Sequence, residues 1–465
     1  MTEWLKKADP DLSAIIDADH GMTLSYGDLS RQVDACADCL RDSGASLVFV
    51  VEGHALQTIL HYLACLQCAV PVCLLQQGKA LPELVRNYQP SHVVLGAGGD
   101  ASPWAEGYDL ECSEPVACYR RQTACAAKPH PRLALLLSTS GSTGNQKLVR
   151  LSRESITANA DAIAEYLELT SQDRSIQSLP LHYSYGLSLI NSHFAASGSV
   201  VLTSHSFMSR EFWDAVSKQE CTGFAGVPSM YEFLAKLRMG PHQVPSIRYF
   251  TQAGGKLAES LQEQFLRFAV ESEKQFFVMY GQTEATARIA YVPPHHLGQN
   301  IGSIGQAIPG GTLGCRTVDG LDADVFELVY EGPNVMMGYA ESVEDLSLDD
   351  ELQGTLYTGD LVKKAEDGSL RIVGRLKRFA KVFGLRINLA DIENHVSALT
   401  NARCAACEAD AGIRIYLEAA TDEKDLRADL SAWTGLPPAS FAVRVVEAFP
   451  YTGSGKIDYP SLRLL

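Results

Sequence analysis

The stretch LALLLSTSGSTGNQKLVRLS, residues 133–152, decides how the chain is read. Leu133–Leu137 is an unbroken apolar run, the pattern of a strand covered on both faces in a parallel sheet. Small hydroxylated and glycine residues follow, Ser138, Thr139, Ser140, Gly141, Ser142, Thr143 and Gly144, and then Lys147. Such a loop lets backbone N–H groups converge on phosphate oxygens while the lysine adds positive charge. A flexible Ser/Gly linker is the competing reading, but a linker rarely follows an apolar strand so tightly or precedes a helix. The order Gly-Ser-Thr-Gly-x-x-Lys is not the G-x-x-x-x-G-K-[ST] of a Walker loop.

Outward from this stretch the pattern repeats. LVFVV, then HALQTILHYLACLQC, then VPVCLL between Leu47 and Leu75 form a strand–helix–strand signature. Further strand-like runs lie at His92–Leu95, Ser199–Thr203, Thr222–Ala225, Arg248–Thr251 and Gln275–Met279. Helical periods lie at Glu154–Leu167, Trp213–Gln219, Ser229–Leu237 and Glu259–Phe268. The fold class expected is α/β, a large domain of parallel α/β layers. From about Ile301 to Arg375 glycines and short alternating runs predict a β-rich subdomain. A small α+β tail follows, with a helix at about Leu389–Leu399 and a strand at Ile413–Leu417. The glycines of GAGGDA, residues 96–101, follow a strand-like run, but Pro103 and Trp104 stand where a dinucleotide-binding helix would start.

The 465 residues carry 39 Lys plus Arg against 55 Asp plus Glu, a net charge of −16. That excess argues against general nucleic-acid binding and against docking on an anionic membrane, both of which need a basic surface. It does not exclude an anionic ligand in a local basic pocket. The N-terminal MTEWLKKADPDLSAIID shows no secretory signal, and no run is apolar enough for a membrane span, so the cytoplasm is the expected compartment. Cys36/Cys39, Cys65/Cys68 and Cys404/Cys407 have metal-ligand spacing. Their apolar helical surroundings, without a Gly/Pro turn or aromatic knuckle, predict buried reduced thiols instead.

Three more signals complete the pattern. FFVMYGQTEAT, residues 276–286, ends a strand in Tyr280, Gly281, Gln282, Thr283 and Glu284, residue types suited to base stacking, phosphate contact and metal binding. Taken alone, it is equally a capped turn. Asp360 ends a Thr-Gly-Asp turn, and a hairpin then leads to Gly374-Arg375. In FPYTGSGKIDY, residues 449–459, Gly453 and Gly455 flank Lys456.

In this order the motifs resemble the adenylate-forming superfamily: acyl-CoA synthetases, adenylation domains of non-ribosomal peptide synthetases, and luciferases. The resemblance covers roughly residues 130–460. It implies that a carboxylate attacks the α-phosphate of ATP, with Mg²⁺ present, to release pyrophosphate and form an acyl-adenylate. Transfer to a thiol then follows, that of CoA or of a phosphopantetheinyl acyl or peptidyl carrier protein. By similarity, Thr139, Ser140, Gly141, Ser142, Thr143, Gly144 and Lys147 hold the β- and γ-phosphates. Tyr280 lies against adenine and Thr283 contacts the α-phosphate, while Glu284 ligates Mg²⁺. Asp360 binds the ribose hydroxyls with Arg375, and Gly254-Gly255 borders adenine and the acyl pocket. Lys456 bridges carboxylate and phosphate from a mobile C-terminal lid. The expected division is residues 1–375 and 376–465, with a hinge near Lys377.

Three departures stand out, the first being a tail after the hinge that, at about ninety residues, is short against the family's pattern. Gln146-Lys147-Leu148 replaces the usual Pro-Lys-Gly, and Lys377-Arg378-Phe379-Ala380 replaces a hinge commonly rich in acids. The acyl-pocket segment SLPLHYSYGLSLINSHF, residues 178–194, places His182, Tyr183, Ser184 and Tyr185 where amino-acid-activating members carry an Asp. A buried ammonium without a carboxylate partner is costly, so an uncharged alkyl or aryl carboxylate is favoured. His182 is equally a packed core histidine. Phe224, Ala225, Gly226, Val227 and Tyr231 are expected to add apolar wall. The alternatives are an amino-acid adenylation enzyme loading a carrier protein, a nucleotidyl- or phosphoryl-transferring enzyme, and a non-catalytic nucleotide-binding module.

Overall fold

A computed structural model describes residues 2–465 except 79, 97–98, 114–115, 124–127, 139–146, 238, 320, 377, 383–384, 410–411 and 453–455. Thr139–Gly144 of the phosphate loop, Lys377 and the glycines before Lys456 therefore lie outside the described residues. The chain forms two compact units, residues 1–312 with 331–356, and residues 313–330 with 357–465.

The first unit is built on two sheets. In one, Leu133–Ser138, Val72–Leu75, Val48–Val51 and His92–Leu95 run parallel, and antiparallel strands flank them. In the other, Gln275–Tyr280, Tyr249–Gln252, Gly223–Gly226, Arg174–Ile176, Ser199–Leu202 and Ser13–Asp17 run parallel. Val48–Val51, Val72–Leu75 and His92–Leu95 are buried throughout, as apolar runs in two-sided sheets must be. Helix Tyr26–Asp42 lies on the second sheet, Ala55–Cys68 lies on the first, and the two helices pack together. Arg153–Tyr166 and Ser184–Ala195 repeat this arrangement. The α/β class of parallel layers read from the sequence is the observed one.

One local expectation fails at the phosphate loop. It does not lead directly into a helix. Leu148–Ser152 first returns antiparallel to Leu133–Ser138, and helix Arg153–Tyr166 starts only then, capped by Ser152. Arg150 disguises this strand. Its fully buried guanidinium is paired to Glu351 at 2.6 Å and donates to the carbonyls of Tyr339 and Leu348.

The second unit holds most of a sheet of Thr312–Arg316, Val325–Glu331, Thr355–Lys364 and Leu370–Arg375. Helix Leu389–Thr400 packs on Leu370–Arg375, and the Asn388 amide donates to the Val373 carbonyl at 3.3 Å. Residues 357–375 belong to the same compact unit as the tail. Cys404–Ala409, Gly412–Leu417 and Phe441–Val445 form a further sheet, its last two strands parallel and joined by helix Glu423–Thr434.

The cysteine reading needs correction in two respects. Cys404 and Cys407 lie on a strand, not a helix, and enter different apolar clusters. Three residues apart on a strand, they point to opposite faces. Of the other pairs only Cys65 is buried, and Cys39 is exposed. All eleven described cysteines are free. Burial raises the Cys65 and Cys404 thiols, which keeps them protonated. Among the described residues no helix is long and apolar enough to cross a membrane.

Candidate active site

Ligands of an open α/β sheet bind where parallel strands end at their carboxyl termini. In the second sheet those ends carry Gly226-Val227, Gly254-Gly255 and Tyr280-Gly281, and the segment His182–Tyr185, at the start of helix Ser184–Ala195, reaches them through the side chains of Tyr183, Ser184 and Tyr185. Tyr183 closes over the glycine turn. A Cβ on Gly254 would stand 2.5 Å from the Tyr183 hydroxyl and 3.1 Å from Val227 Cγ1, at a φ of +89°. Only glycine fits both the conformation and the contact. Gln252 holds the turn by donating to the Gly255 carbonyl at 2.8 Å.

Behind this surface lies packed core. Tyr185 and Tyr231 both donate to the Thr251 carbonyl, at 3.1 and 2.8 Å, and the Arg288 guanidinium sits 4.0 Å from the Tyr185 ring centroid. Burial pushes the Tyr183 and Tyr185 hydroxyls up to about 12 against the opposing Arg288 charge, so both remain neutral donors. Phe224, Ala225, Tyr185 and Tyr231 are almost wholly buried.

His182 is not a core histidine packed among apolar side chains. Its Nδ1 bonds the Glu52 carboxylate, whose other oxygen accepts the Leu181 N–H at 3.0 Å. Burial alone would raise the Glu52 carboxyl, but the His182 contact and the backbone donors outweigh it and hold the group below its ordinary range. Glu52 immediately follows strand Val48–Val51 of the first sheet, so this pair ties the two sheets together at the site.

The Tyr280–Glu284 turn is tightly determined. A Cβ on Gly281 would fall 1.9 Å from the Ala287 carbonyl oxygen. Thr283 Oγ1 lies 3.3 Å from Ser184 Oγ, which joins the expected phosphate contact to the expected acyl helix. Thr286 holds φ +65°, a conformation costly for a β-branched residue, and its hydroxyl donates to the Asn334 carbonyl at 2.7 Å. Glu284 accepts a hydrogen bond from Tyr339 at 2.7 Å. One carboxylate braced by a hydroxyl suits Mg²⁺, which takes one or two carboxylates and completes its shell with phosphate oxygens and water.

Tyr339 belongs to strand Gly338–Ala340, which pairs with Leu148–Ser152 and sets Glu341 beside Lys147. That ion pair is half exposed and worth little. Lys147 can therefore exchange it for a phosphate at small cost. In the second unit Asp360 is buried and accepts from Arg375 Nε at 2.6 Å, its facing residue in the sheet. The Lys456 carbonyl accepts from the Thr452 N–H at 2.8 Å, beside an antiparallel bridge of Tyr451 and Ile457.

Glu52, Tyr339 and Arg288 escaped the sequence reading. No local pattern marks them, since their partners lie far along the chain or on other elements.

Residues 2–340 match the family model described as AMP-binding enzyme. The chain belongs to this family. It is 25% identical over 480 aligned positions to feruloyl-CoA synthase of Amycolatopsis sp., covering 94% of this chain and 93% of that protein. It is also 25% identical to the medium-chain fatty-acid–CoA ligase of Escherichia coli, covering 83% and 74%. A match to malpinin synthetase of Mortierella alpina, 26% identical, covers 83% of this chain but 5% of that protein. The fold superposes on o-succinylbenzoate CoA synthetase of Bacillus subtilis in complex with its acyl-adenylate intermediate. The TM-score is 0.78 at 21% identity, with 99% and 97% of the two chains covered.

Proposed function

We propose that this chain is an AMP-forming acid–thiol ligase that adenylates an uncharged alkyl or aryl carboxylate and passes the acyl group to CoA. The observation that carries this reading is the meeting of Thr283, Ser184, Tyr183 and the Gly254 turn at the strand ends, with Glu284 and Tyr339 alongside. The near full-length likeness to feruloyl-CoA synthase supports it.

In the first step a carboxylate oxygen bonds to the α-phosphorus of ATP and pyrophosphate leaves. Two anions must approach, so the protein's contribution is position and positive charge. Thr139, Ser140, Gly141, Ser142, Thr143, Gly144 and Lys147 hold the β- and γ-phosphates in this proposal, and Thr283 the α-phosphate. Tyr280 lies against adenine, and Asp360 and Arg375 take the ribose. Mg²⁺, when bound, neutralises phosphate charge, and Glu284 would hold it. Lys456 bridges the two reacting anions. In the second step the thiol sulfur attacks the acyl carbon, AMP leaves, and the thiol proton is released. In this proposal the segment after Lys377 acts as the lid that serves both steps. Glu52 fixes the His182 ring through Nδ1 and leaves Nε2 to address the acid.

No carboxylate stands among His182–Tyr185 to pair an α-ammonium, which argues against a free amino acid. The free thiols fit a reducing cytoplasmic location.

The test is pyrophosphate release across a panel of carboxylates, with and without CoA. Acid-dependent pyrophosphate with thioester formation on CoA is expected. Release of inorganic phosphate, or no acid dependence, would sink the reading.

A further inference from the structure

Among the described residues, one group of three His, Cys, Asp or Glu side chains has its ligand atoms all within 4.8 Å of one another: Asp17, His20 and His54. It belongs neither to the nucleotide contacts nor to the acyl wall. Asp17 ends strand Ser13–Asp17, and His20 sits on the turn that leads into Met22–Ser25. Asp17 Oδ1 accepts the backbone N–H groups of Asp19 and His20 at 3.1 and 3.0 Å, which fixes the carboxylate plane. His20 Nδ1 lies 3.0 Å from Oδ2, and His54 Nε2 lies 3.4 Å from the same oxygen. His54 immediately precedes helix Ala55–Cys68 and makes no capping hydrogen bond with its side chain.

We propose that Asp17, His20 and His54 form a binding site for a divalent transition-metal ion of the Zn²⁺ class. Ligands about 2.1 Å from a tetrahedral zinc stand roughly 3.4 Å apart, close to the two spacings seen here. Two imidazoles select Zn²⁺, Co²⁺, Ni²⁺ or Cu²⁺ over Mg²⁺ and Ca²⁺, which prefer oxygen. The hydrogen bonds to Oδ1 are the kind of outer support that orients a ligating carboxylate. The Asp17 side chain is 4% exposed, whereas those of His20 and His54 are 66% and 44% exposed, so an ion has an open path and a solvent-facing fourth position. A bound ion would cross-link the hairpin to residues 52–54 and so steady the segment that carries Glu52. The competing state is an ion pair of a protonated histidine with Asp17, which has no affinity for metal.

The test titrates the chelator-treated full chain with ZnCl₂, and separately with CoCl₂, in excess MgCl₂. Wild type is compared with His20→Gln, His54→Gln and the double variant, all on exposed side chains, with circular dichroism to verify folding. One zinc per chain should bind in the wild type and be lost in the double variant, and each single variant should weaken it roughly 10-fold or more. The cobalt form should show visible d–d bands without a thiolate-to-metal charge-transfer band. Equal uptake by wild type and double variant would overturn the site. So would a thiolate band that survives in the double variant with unchanged stoichiometry, since the ion would then sit on cysteines.

Discussion

Gly281→Ala tests the proposed active site at its most constrained point. A Cβ at this position would lie 1.9 Å from the Ala287 oxygen, 2.8 Å from its carbonyl carbon and 2.9 Å from Arg288 Cα. Real Cβ contacts stay above 3.0 Å, so something must shift by at least 1.1 Å. All three obstacles are backbone atoms, so no side chain can swing aside. The segment that moves is the one that sets Tyr280 on one side and Thr283 and Glu284 on the other. A misplacement of about 1 Å at reacting groups costs on the order of 100-fold in rate, or about 2.7 kcal/mol. Overpacking should also destabilise by roughly 1–3 kcal/mol. The assay is pyrophosphate release under varied ATP and acid, with thermal unfolding measured in parallel. Gly298→Ala, whose new Cβ would meet only Leu266 Cδ2 at 3.6 Å, should behave as wild type. If Gly281→Ala keeps wild-type kcat/KM, this turn does not position the reacting phosphate and the reasoning fails.

Glu52→Gln should raise KM for the acid and lower the urea midpoint at neutral pH, since a hydrogen bond to a charged partner contributes roughly 1.5–3 kcal/mol. The Glu52 carboxyl is held below its ordinary range. Its contribution is therefore present above the unfolded-state value near 4.5 and disappears as pH falls through the folded one, so the two proteins should converge in acid. A midpoint difference that persists in acid would contradict this. Lys456→Ala should abolish adenylation yet leave thioester formation from supplied acyl-adenylate largely intact; equal loss of both steps would reject the bridging role. Tyr339→Phe removes the donor that braces Glu284. The Mg²⁺ concentration for half-maximal rate should rise about 10-fold, consistent with one lost charged hydrogen bond, and an unchanged Mg²⁺ dependence would mean that Tyr339 plays no part in holding the ion.

Much of the architecture could be read from local pattern. The runs at 92–95, 199–203, 222–225, 248–251 and 275–279 all lie on or within one residue of observed strands, because a strand covered on both faces is mostly apolar along its length. Helix Glu259–Glu271 showed through its periodicity for the matching reason. Gly254 and Gly281 were marked by motif resemblance, whereas the close approaches that demand glycine there appear only in the fold.

What stayed hidden depends on partners distant in sequence. Leu148–Ser152 did not read as a strand because Arg150 interrupts it, and that arginine is tolerated only where Glu351 and the carbonyls of Tyr339 and Leu348 surround it. Cys404 and Cys407 read as helical because spacing alone cannot tell which face a residue covers. Packing against two different clusters decides it. Glu52 acquires its role from His182, and Glu284 its brace from Tyr339. Local sequence thus determined the sheets and the chemistry of the motifs. The pairing of charges was decided only when the chain folded, because burying an ion is costly until its partner arrives.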